Sequence, residues 1–111
     1  TLSLHDALPI STEISTVDIS TCVEKGDWVF DARSFTILIS DDGENFKQIA
    51  KEEYPVLKES DKNGIYEHNI TFDPVKTRFV KVIGVPEKKM PSWHNGKGLD
   101  AFMFIDEITI N

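Results

Sequence analysis

The feature that most constrains the fold of this chain is an alternation of apolar and polar residues with a period of two. It appears in TVDIST (16–21), in FTILIS (35–40) and in IYEHNITF (65–72). Successive side chains of a β-strand point to opposite faces, so this period predicts half-buried strands. A helix would need apolar residues spaced three and four apart, and no segment longer than one turn shows that spacing. The sequence therefore predicts an all-β protein.

Turn-forming residues separate these segments. SDDGENF (40–46) contains an Asp-Gly pair that predicts a hairpin, followed by a short third strand. KEEYPVLKESDKNG (51–64) is charged and contains proline, so we expect an exposed excursion closed by an Asn-Gly turn. DPVKT (73–77) predicts a corner before RFVKVIGV (78–85), which is apolar on both faces as a central strand would be. With a last strand at 101–110, the pattern predicts an antiparallel β-sandwich.

Charge and cysteine content exclude several classes of protein. The net charge is −7 and there is no stripe of Lys and Arg, so we expect no nucleic acid partner. No apolar segment approaches the roughly 20 residues of a membrane span, and we expect no membrane partner. Cys22 is the only cysteine, so an internal disulfide is impossible. We predict that Cys22 is a small buried residue rather than a nucleophile.

The first ten residues, TLSLHDALPI, fit no signal peptide, because they lack a basic start, a long apolar stretch and a small-residue cleavage site. Their reverse translation can be written as a widely used short-read sequencing adapter that ends inside the codon of Ser11. We therefore predict that residues 1–11 are an adapter-derived artefact and that residues 12–111 are native. On this interpretation the native N-terminus is missing, with any signal peptide or upstream domain.

Catalytic and transition-metal arrangements are not indicated. His94 with nearby carboxylates lacks the second, suitably spaced histidine that such a metal site usually has. A triad of Ser92, His94 and Asp100 is not indicated, because Ser92 and His94 are too close in sequence to be positioned independently. Asp106 and Glu107 are neighbours on a predicted strand, so they point to opposite faces rather than across a cleft. The sequence therefore favours a protein that is not an enzyme.

Aromatic residues in loops are a more informative signal. Trp28 and Trp93 both lie where a strand pattern is interrupted, and His94 and Asn95 follow Trp93 directly. An indole face stacks on the apolar side of a sugar ring, while polar neighbours bond its hydroxyls. These four residues are our candidates for carbohydrate binding. The alternative is that each tryptophan closes one end of the core, which we favour for Trp28.

The order of ISTVDIS, GDWVFDARSFTILISDDGENFKQI, KTRFVKVIGV and WHNGKGLDAFMFIDEITI resembles the F5/8 type C (discoidin-like) family across residues 14–110. The last motif is most similar to the C-terminal domain of bacterial family 20 β-N-acetylhexosaminidases. This resemblance implies a galactose-binding-like jelly roll, truncated at its N-terminus, that acts as a family 32 carbohydrate-binding module. Such modules are non-catalytic and hold an attached hydrolase on its glycan.

The resemblance also implies partners, a cofactor and a location. The partners would be glycans of the galactose or N-acetylhexosamine type and an upstream catalytic domain, in a secreted, periplasmic or cell-surface bacterial enzyme. Glu107 matches a family residue that binds a structural calcium, although the N-terminal loop with the other ligands is absent from the chain.

Two other functions stay open. The first is a structural or protein-interaction domain that packs against the catalytic domain and binds no free sugar. The second is phospholipid binding, for which only Lys88, Lys89 and Met90 provide a signal.

Overall fold

Five antiparallel strands form the fold in a computed structural model that describes residues 2–111, apart from the side chains of residues 2, 5, 6 and 9. They are β1 (Leu2–Val23), β2 (Ala32–Ser40), β3 (Lys47–Glu53), β4 (Gly64–Pro86) and β5 (Phe104–Ile110), in the sheet order β3-β2-β4-β1-β5. A single 3-10 turn spans Lys25–Asp27. Within this described part there is no α-helix, and no helix has the length and hydropathy to cross a bilayer. The all-β prediction is confirmed.

The two long strands β1 and β4 run through both halves of the sheet. Their pairing shifts register between Ala7 and Thr12 and again between Ile14 and Thr16, and such irregularities bend a sheet. Before the shifts, the start of β1 pairs with the end of β4, and β2 and β3 extend this half. After them, the end of β1 pairs with the start of β4, and β5 completes the other half.

Side chains from both halves meet in one core, which shows that the halves face each other as a sandwich. Val17, Ile19 and Ile70 come from the half with β5, and Phe35 and Val80 come from the half with β2. The other buried members of the cluster are Ile14, Ala32, Ile37 and Val82. All nine occupy inward positions of their strands, as the period of two predicts.

Two details differ from the predictions. The corner expected at 73–77 does not end a strand, because β4 continues through it while residues 75–77 pair with residues 12–14 of β1. Cys22 is half-buried rather than buried. Its neighbours Thr21 and Val23 point into the core, so the alternation directs Cys22 to the outer face of the sheet.

The first part of β1 includes the segment that we interpret as adapter-derived. Leu2 to Ala7 pair with β4 as far as Gly84, while Thr1 lies outside the described residues. The artefactual origin of residues 1–11 stays a prediction.

The hairpin between β2 and β3 is confirmed at residues 41–46. Gly43 has a φ of 80°, which a residue with a Cβ rarely adopts. The backbone N–H groups of Asn45 and Glu44 donate to the Asp42 carboxylate at 2.8 and 2.9 Å. These bonds, with one from the Asn45 side chain, lower the pKa of Asp42 well below its ordinary value.

The opposite end of the sandwich carries three loops: residues 24–31, 54–63 and 87–103. Both ends of β4 lie here, because the strand bends at the register shifts and its second half returns toward the end where its first half began. We call this region the loop end, and all four predicted carbohydrate-binding residues belong to it.

Candidate functional site

The loop that carries Trp93 is closed by its own backbone hydrogen bonds. The N–H of Met90 donates to the carbonyl of Leu99 at 2.9 Å, and Gly98 donates back to Met90 at 3.1 Å. Inside this closure, Lys97 donates to His94 at 3.1 Å and Leu99 donates to Gly96 at 3.0 Å. A loop with so many internal bonds holds its side chains in fixed positions, which reduces the entropy lost on binding a ligand.

His94 is buried, with 8% of its surface exposed, and both of its ring nitrogens bond to backbone groups. The N–H of Gly96 donates to Nδ1 at 2.9 Å, so in the neutral ring the proton is on Nε2. Nε2 then donates to the carbonyl of Lys25 at 2.6 Å. His94 thus ties the loop at 90–99 to the loop at 24–31. In this geometry it holds the site together rather than presenting a free nitrogen to a ligand.

Trp28 has a left-handed backbone conformation, with a φ of 66°, and is the one non-glycine residue with positive φ in the described chain. For a bulky residue this conformation costs about 1–3 kcal/mol, and such strain clusters at functional sites. Hydrogen bonds maintain it, because its N–H donates to Lys25 at 3.1 Å and its carbonyl accepts from Phe102 at 2.8 Å. The indole meets the edge of His94 at 6.4 Å between ring centroids.

Trp93 is half-buried and packs beside two aromatic rings. The Phe30 ring lies 5.8 Å away at a tilt of 35°, and the His94 ring lies 5.8 Å away edge-on. The ammonium of Lys25 lies over the indole, 5.7 Å from its centroid, within the range of a cation–π contact. Trp28, Trp93 and His94 are therefore brought together, and they share their surroundings with Phe30 and Lys25.

Lys25 joins all three loops of the loop end, a role that the sequence analysis missed. Its ammonium donates to the carbonyls of Glu59, at 2.9 Å, and of Asp61. Its backbone N–H donates to the Asn63 side chain at 3.0 Å, while its carbonyl accepts from His94. These partners are 34 to 69 residues away in sequence, so no local pattern could reveal them.

Asn95 and Glu107 lie in different places. Asn95 is exposed at the rim of the aromatic cluster, and its side chain makes no hydrogen bond to any of residues 2–111. Glu107 is exposed on β5, paired with Ser20, and lines a cavity of about 400 Å³ on the outer sheet face together with Asp18 and Glu67. Glu107 is therefore not part of the aromatic cluster.

The described residues do not complete a metal shell. Among the side chains that the structure describes, no group of three or more His, Cys, Asp or Glu is placed to hold a metal ion. A calcium ion needs six to eight oxygen ligands, so Glu107 with its neighbours does not fit one. We therefore derive no role for calcium here, and the ligand role of Glu107 stays a prediction.

An apolar row on the outer face of the sheet is a second feature that the sequence analysis missed. Cys22 pairs with Ile65 on one side and with Phe104 on the other, so the three lie in line across β4, β1 and β5. Ile65 is 57% exposed and Phe104 is 60% exposed. Phe102, two residues earlier, is 59% exposed. The alternation of Phe102 and Phe104 with Met103 and Ile105 was the available signal, because it makes both faces of the segment apolar.

A buried acid–histidine pair connects the two layers behind the loop end. The Asp31 carboxylate accepts from Nε2 of His68 at 2.9 Å, from the Thr21 hydroxyl at 2.7 Å and from the N–H of Ala32 at 2.8 Å. Burial alone would raise the pKa of Asp31, but the bonds from His68 and Thr21 outweigh it and lower that pKa. The Tyr54 ring covers His68 at 4.2 Å between centroids. Since the side chains of Asp31 and His68 are enclosed, this pair stabilises the fold rather than contacts a ligand.

A comparison with solved structures shows which fold this is. CpGH89CBM32-5 from Clostridium perfringens, one of 12 solved chains that match, was solved in complex with GalNAc-β-1,3-galactose. It superposes with a TM-score of 0.56 at 18% sequence identity, covering 95% of the present chain. The present chain spans 65% of the length of that protein. At this identity the likeness establishes the sandwich fold.

Comparison with sequences gives the family. None of the curated proteins searched matches the chain. The model of the F5/8 type C domain matches residues 10–100, most of the 111 residues. The resemblance of the strand and loop motifs is thereby confirmed, and we conclude that the chain belongs to the F5/8 type C domain family.

Proposed function

We propose that this domain is a non-catalytic carbohydrate-binding module whose loop end binds glycans of the galactose or N-acetylhexosamine type. Two comparisons support the proposal: membership of the F5/8 type C family, and a fold shared with CpGH89CBM32-5, which was solved in complex with GalNAc-β-1,3-galactose. The aromatic loop at 90–99 would provide the binding surface.

The observation that carries this proposal is the pre-organised aromatic cluster. Trp93 contacts Phe30 and Lys25, and His94 holds the loop in place, so the rim of the cluster is rigid before any ligand arrives. Asn95 is exposed beside it with an amide that can both donate to and accept from sugar hydroxyls. Rigid aromatic surface next to an uncommitted amide suits a pyranose, which has apolar faces and a polar edge.

The test compares two exposed asparagines. We would titrate the domain with galactose, N-acetylgalactosamine and N-acetylglucosamine by calorimetry and by tryptophan fluorescence. Asn95→Ala should weaken binding several-fold, and Trp93→Ala should weaken it further, whereas Asn69→Ala on the outer sheet face should have no effect. If saturating sugar leaves fluorescence unchanged and Trp93→Ala leaves affinity unchanged, the assignment of the site is wrong. If none of the sugars binds the wild-type domain, the proposed function is wrong.

We further propose that the module is attached to an upstream glycoside hydrolase of the β-N-acetylhexosaminidase type, in a secreted, periplasmic or cell-surface enzyme. The resemblance of the 93–110 motif supports this attachment. The module would raise the concentration of the enzyme near its polymeric substrate without taking part in the chemistry. The coding sequence upstream of this chain is the direct check, because it would contain the hydrolase domain.

The exposed apolar row favours a second candidate function, which is packing against a neighbouring domain. Ile65, Phe102 and Phe104 present carbon surface to water, and such patches often belong to protein interfaces. On this alternative, deleting the domain would lower the thermal stability of the parent enzyme. The carbohydrate-binding proposal predicts instead that the deletion lowers only its retention on polymeric glycan.

A further inference from the structure

A groove at the loop end is lined by none of the four predicted carbohydrate-binding residues. It is an open cavity of about 370 Å³, within the size range of small-molecule sites, beside the start of β2 and the end of β4. Two residues of its lining, Glu87 and Lys88, begin the loop that also carries Trp93. The groove is lined by Arg33, Ser34, Glu53, Tyr54, Val85, Pro86, Glu87 and Lys88.

Arg33 supplies the groove with uncommitted hydrogen-bond donors. Its Nε donates to the carbonyl of Tyr54 at 3.0 Å, and its Nη1 donates to Glu87 at 3.4 Å. A guanidinium has five N–H groups, so three remain without an acceptor among residues 2–111. The side chain is 39% exposed, which leaves these donors accessible to a ligand.

Glu87 supplies an uncommitted acceptor. Only 12% of its side chain is exposed, yet within the described chain its carboxylate bonds to Arg33 alone, through Oε2 at 3.4 Å. Charge-assisted bonds of this type are ordinarily about 2.7–2.9 Å long. Its other oxygen, Oε1, accepts no hydrogen bond from the described residues and is still in contact with solvent. A ligand hydroxyl can therefore reach Oε1 and donate to it.

We propose that this groove is a sugar subsite, in which Arg33 and Glu87 bind two adjacent hydroxyls of a neutral pyranose. One hydroxyl accepts from the guanidinium and the other donates to the carboxylate, a pairing that adjacent hydroxyls satisfy at once. The proposal rests on the proposed carbohydrate-binding function and extends its site away from Trp93.

The charge and polarity of the lining select the class of sugar. Arg33 and Lys88 are balanced by Glu53 and Glu87, so the groove has no net charge with which to prefer an acidic sugar. Tyr54, Val85 and Pro86 add carbon surface for the apolar side of a ring. We therefore expect galactose or N-acetylgalactosamine to bind at least as well as galacturonate.

The test uses substitutions in the groove and a matched control. Glu87→Ala and Arg33→Ala should each weaken the binding of N-acetylgalactosamine roughly tenfold or more, since each removes a bond to a charged group. Glu87→Gln, which keeps an acceptor oxygen, should lose less. Glu44→Gln lies in the hairpin at the opposite end of the sandwich and should bind like the wild type. Circular dichroism would verify that each variant is folded.

Amide chemical shifts of the wild-type chain provide a readout that needs no variant. Titration with N-acetylgalactosamine should shift the amides of Arg33, Tyr54 and Glu87. If folded groove variants retain wild-type affinity, or if these amides do not move while those of residues 93–95 do, the groove is not a subsite and the proposed function stands. If galacturonate binds tighter than galactose, the assignment to neutral sugars is wrong. If no sugar binds the wild type, both proposals fail.

Discussion

Removal of the His94 ring should destabilise the domain, because the hydrogen bond from this ring to the carbonyl of Lys25 joins the loop at 90–99 to the loop at 24–31. His94→Ala leaves the buried N–H of Gly96 without an acceptor, which costs about 1–3 kcal/mol. The carbonyl of Lys25 still accepts from Trp28, so its loss is smaller, about 1 kcal/mol. Lost ring contacts with Phe30 and its neighbours add about 1 kcal/mol. We expect a decrease of about 4 kcal/mol in the free energy of unfolding.

Two conservative substitutions separate these contributions. The Oδ1 of asparagine stands near the position of Nδ1, so His94→Asn should restore the bond from Gly96 and recover about half of the loss. The amide nitrogen of glutamine reaches closer to Nε2, so His94→Gln should restore mainly the bond to Lys25 and recover about 1 kcal/mol. The order of stability should be His, Asn, Gln and Ala.

Urea denaturation followed by far-ultraviolet circular dichroism measures this order, provided that the dependence on urea is the same for all variants. Lys97→Ala, an exposed substitution in the same loop, is the control and should change stability by less than about 0.5 kcal/mol. A His94→Ala protein as stable as the control would refute the reasoning. Equal stability of the Asn and Ala variants would show that the bond from Gly96 contributes nothing.

Three further outcomes are expected. The pKa of Asp31 is lowered in the folded state, so the stability that its carboxylate contributes is complete above the ordinary pKa of 3.8 and is lost as the pH falls through the folded-state pKa. Asp31→Asn should therefore lower the free energy of unfolding at pH 7 and reduce its decrease at acidic pH. Gly96→Ala should destabilise by about 1–3 kcal/mol in thermal melts, because its Cβ would lie 2.6 Å from the terminal methyl of the buried Met90 and 3.1 and 3.2 Å from the rings of Trp28 and His94, whereas Gly26→Ala meets nothing within 4 Å and should be tolerated. Millimolar calcium should leave the melting temperature of this chain unchanged, and a rise abolished by Glu107→Gln would show that a calcium site exists after all.

The strands could be predicted from sequence because each depends on a local property. Alternation within 16–21 and 35–40 is sufficient to identify half-buried strands, and Asp42-Gly43 is sufficient to identify the hairpin. The continuity of β4 could not be predicted, because Pro74 is a turn signal and the strand persists only through pairing with residues 12–14. That partner is about 60 residues away, and no local pattern contains it.

The site was predictable to the same extent. Trp93, His94 and Asn95 are adjacent in sequence, so an aromatic loop could be recognised. The orientation of His94 could not, since it depends on the carbonyl of Lys25, 69 residues away. The groove beside Arg33 was missed for the same reason, because Glu87 is 54 residues from it. A single sequence reports the types of residues in a loop but not the distant backbone groups that orient them.

The path of β1 and β4 through both layers has a consequence for how the domain opens. In a sandwich whose layers are built from separate strands, one layer can separate from the other while keeping its own ladder. Here the same two backbones contribute a strand to each layer, and the core cluster includes residues on both sides of the bend. Loss of the hydrogen bonds of one layer therefore also releases the parts of β1 and β4 that continue into the other layer. As denaturant is added, protection from amide hydrogen exchange should accordingly be lost from both layers in a single step. The loop end should remain ordered until the whole domain unfolds.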